Sequence, residues 1–124
     1  MQSEISSALD EWCRILGEGN LDGLVSLYAQ DGILQPTVQA EICLTHDDIR
    51  QYFAGLMGRK VTVELQKIWV NSYGDIGKAS GYYVFRLDGD DGPVELPARF
   101  TFIFQKQKDR WMIIEQHSSA VPAK

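Results

Sequence analysis

The sequence predicts an α+β domain in which amphipathic helices cover a long-stranded, curved antiparallel sheet. Three observations carry this. Apolar residues recur at helical spacing in three segments ahead of Arg59, everything after Arg59 reads as strand, and the strand segments are joined by turns short enough for hairpins.

The first helix is predicted from Ile5 to Leu16, where Ile5, Ala8, Leu9, Trp12, Cys13 and Leu16 fall on one face, with Ser3 as its cap. Gly17 and Gly19 break it. Asn20 then offers a side-chain oxygen to cap a second helix carrying Leu21, Leu24, Val25, Leu27 and Tyr28. The turn signal Asp31-Gly32 precedes a short strand at Ile33-Leu34 that ends at Pro36. Thr45 followed by Asp48 forms a capping box with the shorter acid. Ile49, Tyr52, Phe53 and Leu56 repeat behind it in a third helix that ends near Gly58.

Four strands follow: Val61 to Asn71, Lys78 to Leu87, Val94 to Gln105 and Trp111 to Ser119, all rich in β-branched and aromatic residues. The connections are Ser72 to Asp75, Asp88 to Gly92 and Lys106 to Asp109. Each is short enough to pair its flanking strands antiparallel. The acidic turn Asp88 to Asp91 lacks the ligand pattern of a calcium loop and is read as a solvated hairpin.

At 124 residues, with 44% hydrophobic and 23% charged side chains, the chain has the size and composition of a single globular domain, 1–124. A net charge of -5 repels phosphate backbones, and no face gathers Lys and Arg with aromatic residues, so nucleic acid is not an expected partner. No apolar run approaches bilayer length and the start Met1 to Glu4 lacks the form of a signal peptide. The expectation is a cytoplasmic protein with no membrane partner. Cys13 and Cys43 match no metal-ligand spacing and read as small buried hydrophobes, with a bridge open only if the chain is exported. Neither a metal nor a cofactor is expected.

The last two strands carry the candidate site. In the strand from Val94 one parity holds Val94, Leu96, Ala98, Phe100, Phe102 and Phe104, and the other holds Arg99 and Thr101. If a three-residue loop at Gln107 to Asp109 joins it to the last strand, Thr101 opposes Glu115 and Arg99 opposes His117. A loop one residue different sets Arg99 beside Gln116 or Ser118. On the helix-covered face, Arg99, Glu115 and His117 form either a structural ion-pair network or the polar end of a ligand cavity. The Phe-bearing face is then left outside, which predicts a homodimer through Phe100, Phe102, Phe104, Met112 and Ile114.

The run from Trp111 to Pro122, preceded by Pro97 to Phe102, resembles nuclear transport factor 2-like (SnoaL-like) proteins. It is most similar to the calcium/calmodulin-dependent protein kinase II association domain and its stand-alone bacterial relatives. The resemblance implies the cone-shaped, cystatin-like fold of that family: three N-terminal helices over a curved antiparallel sheet enclosing a pocket. It maps a histidine ahead of two small residues onto His117, Ser118 and Ser119, and a strand arginine onto Arg99, with Glu115 where relatives often carry a second histidine. The family hosts isomerases, hydrolases and pure association domains, so the fold leaves the reaction open. No kinase catalytic motif is present.

Three functions stay open. The first is a small-molecule-binding and homo-oligomerising domain, with Arg99 and Thr101 anchoring an anionic or carbonyl-bearing organic ligand and Tyr83, Tyr52, Tyr28 and Trp12 as pocket walls. Core packing explains those aromatic residues equally well. The second is a small enzyme of isomerase or hydrolase type with Glu115 or His117 as general base. The third is an assembly module needing only an apolar outer face. His46, beside the helix cap, reads as a solvated surface residue.

Overall fold

A computed structural model describes residues 2–123, with side chains from residue 4 onward. The elements are α1 (Gln2–Glu18), α2 (Leu21–Val25), β1 (Tyr28–Gln35), α3 (His46–Met57), β2 (Thr62–Tyr73), β3 (Ile76–Gly89), β4 (Gly92–Gln107) and β5 (Arg110–Ala120). α1 starts at Gln2, so Ser3 lies inside the helix rather than at its cap, and its side chain falls outside the described residues. The other two caps form as the sequence predicts. Asn20 accepts from the Gly23 amide, and Thr45 accepts from the Asp48 amide while Asp48 accepts in turn from the amide of Leu44.

α2 is shorter than its apolar spacing suggests. Leu27 and Tyr28 are buried, but as the entry to β1, where the Leu27 carbonyl accepts from the Ile113 amide at 2.9 Å. A tertiary strand pairing overrides the local helical period. β1 accordingly reaches back to Tyr28, well ahead of the short strand expected at Ile33-Leu34.

The five strands form one curved, unclosed sheet in the order β1-β5-β4-β3-β2. β2 to β5 are the antiparallel meander, joined by tight hairpins such as Gly89↔Gly92. β1 corrects the expectation of a wholly antiparallel sheet: it lies parallel to β5, with Leu34 beside Gln116 and Gln35 beside His117. Its other neighbour is the loop to α3, where Leu34 and Cys43 exchange backbone hydrogen bonds.

The helices pack on the face that carries Ala98, Phe100, Phe102 and Phe104, all buried. The expectation had put the helices on the opposite face, so the case for a dimer through the Phe side chains falls. The chain's own α1 and α3 remove those rings from water, together with Ile5, Leu9, Trp12, Ile49 and Phe53. α1 comes close enough that a Cβ on Gly77 would stand 2.1 Å from Ile5 Cδ1.

The register of the last hairpin also differs from the expectation. Gln107 pairs with Arg110 across a two-residue turn, with Lys108 in the left-handed region at φ 58°. A bulge between Ile103 and Phe104 then inserts one further residue on β5, so Ile103 opposes Glu115, Thr101 opposes His117 and Arg99 opposes Ser119. One residue from the turn and one from the bulge add to a slide of two. Side-chain parity is therefore kept from Ile103 and Glu115 onward although every pairing has changed, while between the turn and the bulge it is inverted and Ile113 turns inward beside Phe104.

Candidate functional site

Because parity is kept, Arg99, Glu115 and His117 do share one face. It is the uncovered outer face, not a cavity beneath the helices, because their inward neighbours are Ala98, Phe100, Gln116 and Ser118. Thr101 stands among them. Among the described residues the three form no ion pair with one another, and Glu115 accepts only from Gln35 Nε2, at 3.2 Å. Neither alternative set out for a covered trio holds.

The polar groups under the helices are different ones. Gln116 and Ser118 are the inward positions of β5, and both are buried. Trp12 Nε1 donates to the Tyr28 hydroxyl at 3.0 Å, and Tyr28 donates to Gln116 Oε1. Gln116 Nε2 donates to the Tyr83 hydroxyl at 3.4 Å, and Tyr83 donates to Ser118 Oγ at 2.6 Å. Ser118 Oγ is hydrogen-bonded in turn to Thr37 Oγ1. The two tyrosine hydroxyls each accept once and donate once, so the chain has one direction from Trp12 to Ser118. Bonds so arranged polarise one another. No buried side-chain polar atom is left unpaired among the described residues.

Aromatic rings close around this chain. Trp12 stacks on Tyr83 at 5.9 Å and meets Phe102 edge-on at 5.1 Å, while Tyr83 also packs on Phe100 at 4.5 Å. Trp12, Tyr28 and Tyr83 are thus core and hydrogen-bonded at once. Tyr52 is half-buried and stands at the edge, where its ring meets Phe53 edge-on at 5.1 Å. It borders a cleft of about 290 Å³ formed with Val38, Gln39, Gln51, Gly55, Leu56 and Arg59.

His46 corrects the expectation of a solvated residue. It is half-buried, with Nε2 2.9 Å from the Tyr28 carbonyl oxygen and 3.0 Å from that of Ala29, tying the start of α3 to the start of β1. Both cysteines are free. Burial pushes the Cys13 thiol up to about 12 and raises that of Cys43, which keeps both neutral, as small hydrophobes are.

Burial likewise raises the ionisation of Tyr28, Tyr83 and Tyr52 above the ordinary tyrosine value of 10.0. The interior chain therefore holds no group that exchanges a proton near neutrality. The folded state keeps protons that the unfolded chain loses above about pH 10, so this contribution to stability is complete below that pH and is lost as pH rises. Denaturant titrations between pH 8 and about pH 11.5 should show a stability loss that shrinks in a Tyr83→Phe variant. An unchanged slope in the variant would refute the assignment.

These features define the class of the chain: a helix-covered, unclosed sheet with a hydrogen-bonded interior, which is the cystatin-like, nuclear transport factor 2-like fold. Within that class the chain belongs to the calcium/calmodulin dependent protein kinase II association domain family, whose model matches residues 1–122. Similar solved structures agree. A Xanthomonas campestris protein provisionally described as such an association domain is 32% identical, with a TM-score of 0.91 over 98% of this chain and 88% of that one. A nuclear transport factor 2-like protein with a cystatin-like fold from Novosphingobium aromaticivorans is 16% identical, with a TM-score of 0.81 over 98% and 82%. A ketosteroid isomerase-like protein from Erwinia carotovora atroseptica is 11% identical, with a TM-score of 0.81 over 98% and 97%. The latter two support the fold alone. No curated protein matches the chain.

The inward parity of β5, Gln116 and Ser118, was visible in the sequence as two polar residues alternating with Glu115 and His117. What hid their role was the assignment of the helices to the other face. Among the described residues no group of three or more His, Cys, Asp or Glu could hold a metal ion, and no helix is long and apolar enough to cross a membrane.

Proposed function

We propose that this protein is a self-associating module whose contact surface is the outer face of the sheet. The observation that carries this is the composition of that face. Trp69 is 55% exposed and Tyr82 42% exposed and they meet edge-on at 6.3 Å, and half-buried Ile103 lies on the same face of the sheet, two residues along β4 from Thr101, which is in line across the strands with Trp69. The association-domain family supports the reading, since it is named for assembly. Acid–base catalysis by Glu115 or His117 forms no part of it, because both stand on an open sheet with nothing to exclude water.

Ile103→Asp is the test, since it places a charge on the outer face and leaves the core untouched. Light scattering should find the parent chain oligomeric at micromolar concentration and the variant shifted toward monomer, with its dimer dissociation constant raised at least about tenfold and its melting cooperative. A monomeric parent chain would sink the reading, and a variant that stays associated would move the interface elsewhere.

A second reading has one observation in its favour: the chain of hydrogen bonds from Trp12 ends at Thr37, and the next residue, Val38, lines the cleft with Tyr52. A small molecule bound there would meet the Tyr52 hydroxyl, the side-chain amides of Gln39 and Gln51 and the Arg59 guanidinium. Arg99 cannot serve as the anion or carbonyl anchor, because it faces the other side of the sheet.

A further inference from the structure

A second cleft, larger than the one beside Tyr52, lies between α1 and the turn that joins β4 to β5. It holds about 660 Å³, a size in the range of small-molecule sites. Its α1 wall is one helical face, on which Glu4, Ala8 and Glu11 follow at intervals of four and three residues with Asp10 beside them. Asp109, Arg110 and Trp111 form the opposite wall.

The Trp111 indole is half-buried and fixed in place, because Nε1 donates to Glu4 Oε1 at 2.8 Å. Lys106 Nζ stands 5.8 Å from the ring centroid and 3.9 Å from the same carboxylate oxygen. The chain's own ammonium thus shows what an indole beside a carboxylate attracts. Lys106 does not line the cleft, and Trp111 still presents surface to it.

Charges of both signs surround the ring, and several are unmatched. Arg14 is taken up by Glu18 at 2.9 Å and Glu11 at 3.9 Å. Asp10, Asp109 and Arg110 have no ion-pair partner among the described residues. Asp109 and Arg110 are chain neighbours and both line the cleft, so an anion and a cation are offered side by side. That pair complements an ammonium and a carboxylate carried on one carbon. Asp10 and Glu11 offer further carboxylates on the α1 wall, so a ligand that satisfies both walls carries a second cation at its far end. Four carboxylates against two guanidiniums line the cleft, an excess that favours a ligand of net positive charge.

We infer that this cleft binds an amino acid with a cationic side chain, such as arginine. Its α-carboxylate pairs with Arg110 and its α-ammonium with Asp109, while the side-chain cation lies against Trp111 and faces Asp10 and Glu11. Binding here depends on neither the outer face of the sheet nor the Tyr52 cleft.

Calorimetric titration at low ionic strength with arginine, agmatine and citrulline tests it. Agmatine lacks the carboxylate, and citrulline lacks the side-chain charge. Arginine should bind the parent chain with a submillimolar dissociation constant, at least about tenfold more tightly than either analogue. Arg110→Gln should remove the advantage over agmatine and leave the two within about threefold, and Asp10→Asn should weaken arginine about fivefold or more. Glu41→Gln makes the same change of charge on the loop after β1 and should stay within about twofold of the parent. Thermal melts should find each variant folded, and Asp109→Asn carries the comparison if Asp10→Asn does not fold. No saturable arginine binding below about 10 mM overturns the site. So does an agmatine or citrulline affinity equal to that of arginine, or a loss in Glu41→Gln as large as in Asp10→Asn.

Discussion

Gln116→Glu should cost roughly 3 to 5 kcal/mol at pH 7, although it changes one atom of a side chain. The position is 1% exposed. The amide there receives from Tyr28 and donates to Tyr83. An ionised carboxylate could still accept from Tyr28 but could not donate to Tyr83, and it would carry a charge into a core of Trp12, Phe100 and Phe102. A protonated carboxyl, by contrast, can accept from one tyrosine and donate to the other, much as the amide does. Burial therefore raises the folded-state pKa of the new group above its unfolded value near about 4.3. The sign follows: the penalty is absent where the group is protonated in both states, and it grows as pH rises from about 4 toward the folded value. Denaturant unfolding of both proteins at about pH 4 and pH 7.5 should show the stability gap widening with pH. A gap of equal size at both values would mean that the carboxylate reaches water and that the interior chain is not closed.

Gly81→Ala should lose about 3 kcal/mol or more, while Gly55→Ala should gain about 0.5 to 1 kcal/mol. At Gly81 an added Cβ would stand 2.1 Å from the carbonyl oxygen of Lys67 and 3.0 Å from Ile68 Cα, both backbone atoms on the neighbouring strand. The β2–β3 register shifts at this place, between Leu65 and Ile68, and the bulged backbone leans over the glycine. No rotamer change can make room. Gly55 is exposed in α3 with nothing within 4 Å of an added Cβ, so alanine there lowers only the entropy of the unfolded chain. Thermal melts of the two single variants against the parent should move in opposite directions. A Gly81→Ala protein as stable as the parent would show that the bulge slides without cost.

Much of the fold was legible because local rules and tertiary packing agree. Asn20 and Thr45 cap helices, and the alternation of Ala98, Phe100, Phe102 and Phe104 marks the buried side of β4. The site was less legible. The sequence places Arg99, Glu115 and His117 on one face and does not say which face the helices cover. Reading that trio as a pocket displaced the simpler inference that four consecutive alternating apolar residues seek the helices. Gln116 and Ser118 then fell by default on the outside.

What the sequence determined by itself was the element order, the caps of α2 and α3, the places of the hairpin connections and the division of β4 into two faces. Each of these depends on residues close together in the chain: a cap and its amide, a turn and its flanking strands, a side chain and its neighbour two positions on. What only the tertiary structure decided was the parallel seat of β1 on β5, the two-residue turn and compensating bulge that slide β5 by two residues on β4, and the choice of covered face. These depend on pairings between segments far apart in sequence, where several registers bury similar apolar area. The energy that separates them comes from whole-sheet packing and from closing the chain of hydrogen bonds between Trp12 and Thr37, which no local stretch contains.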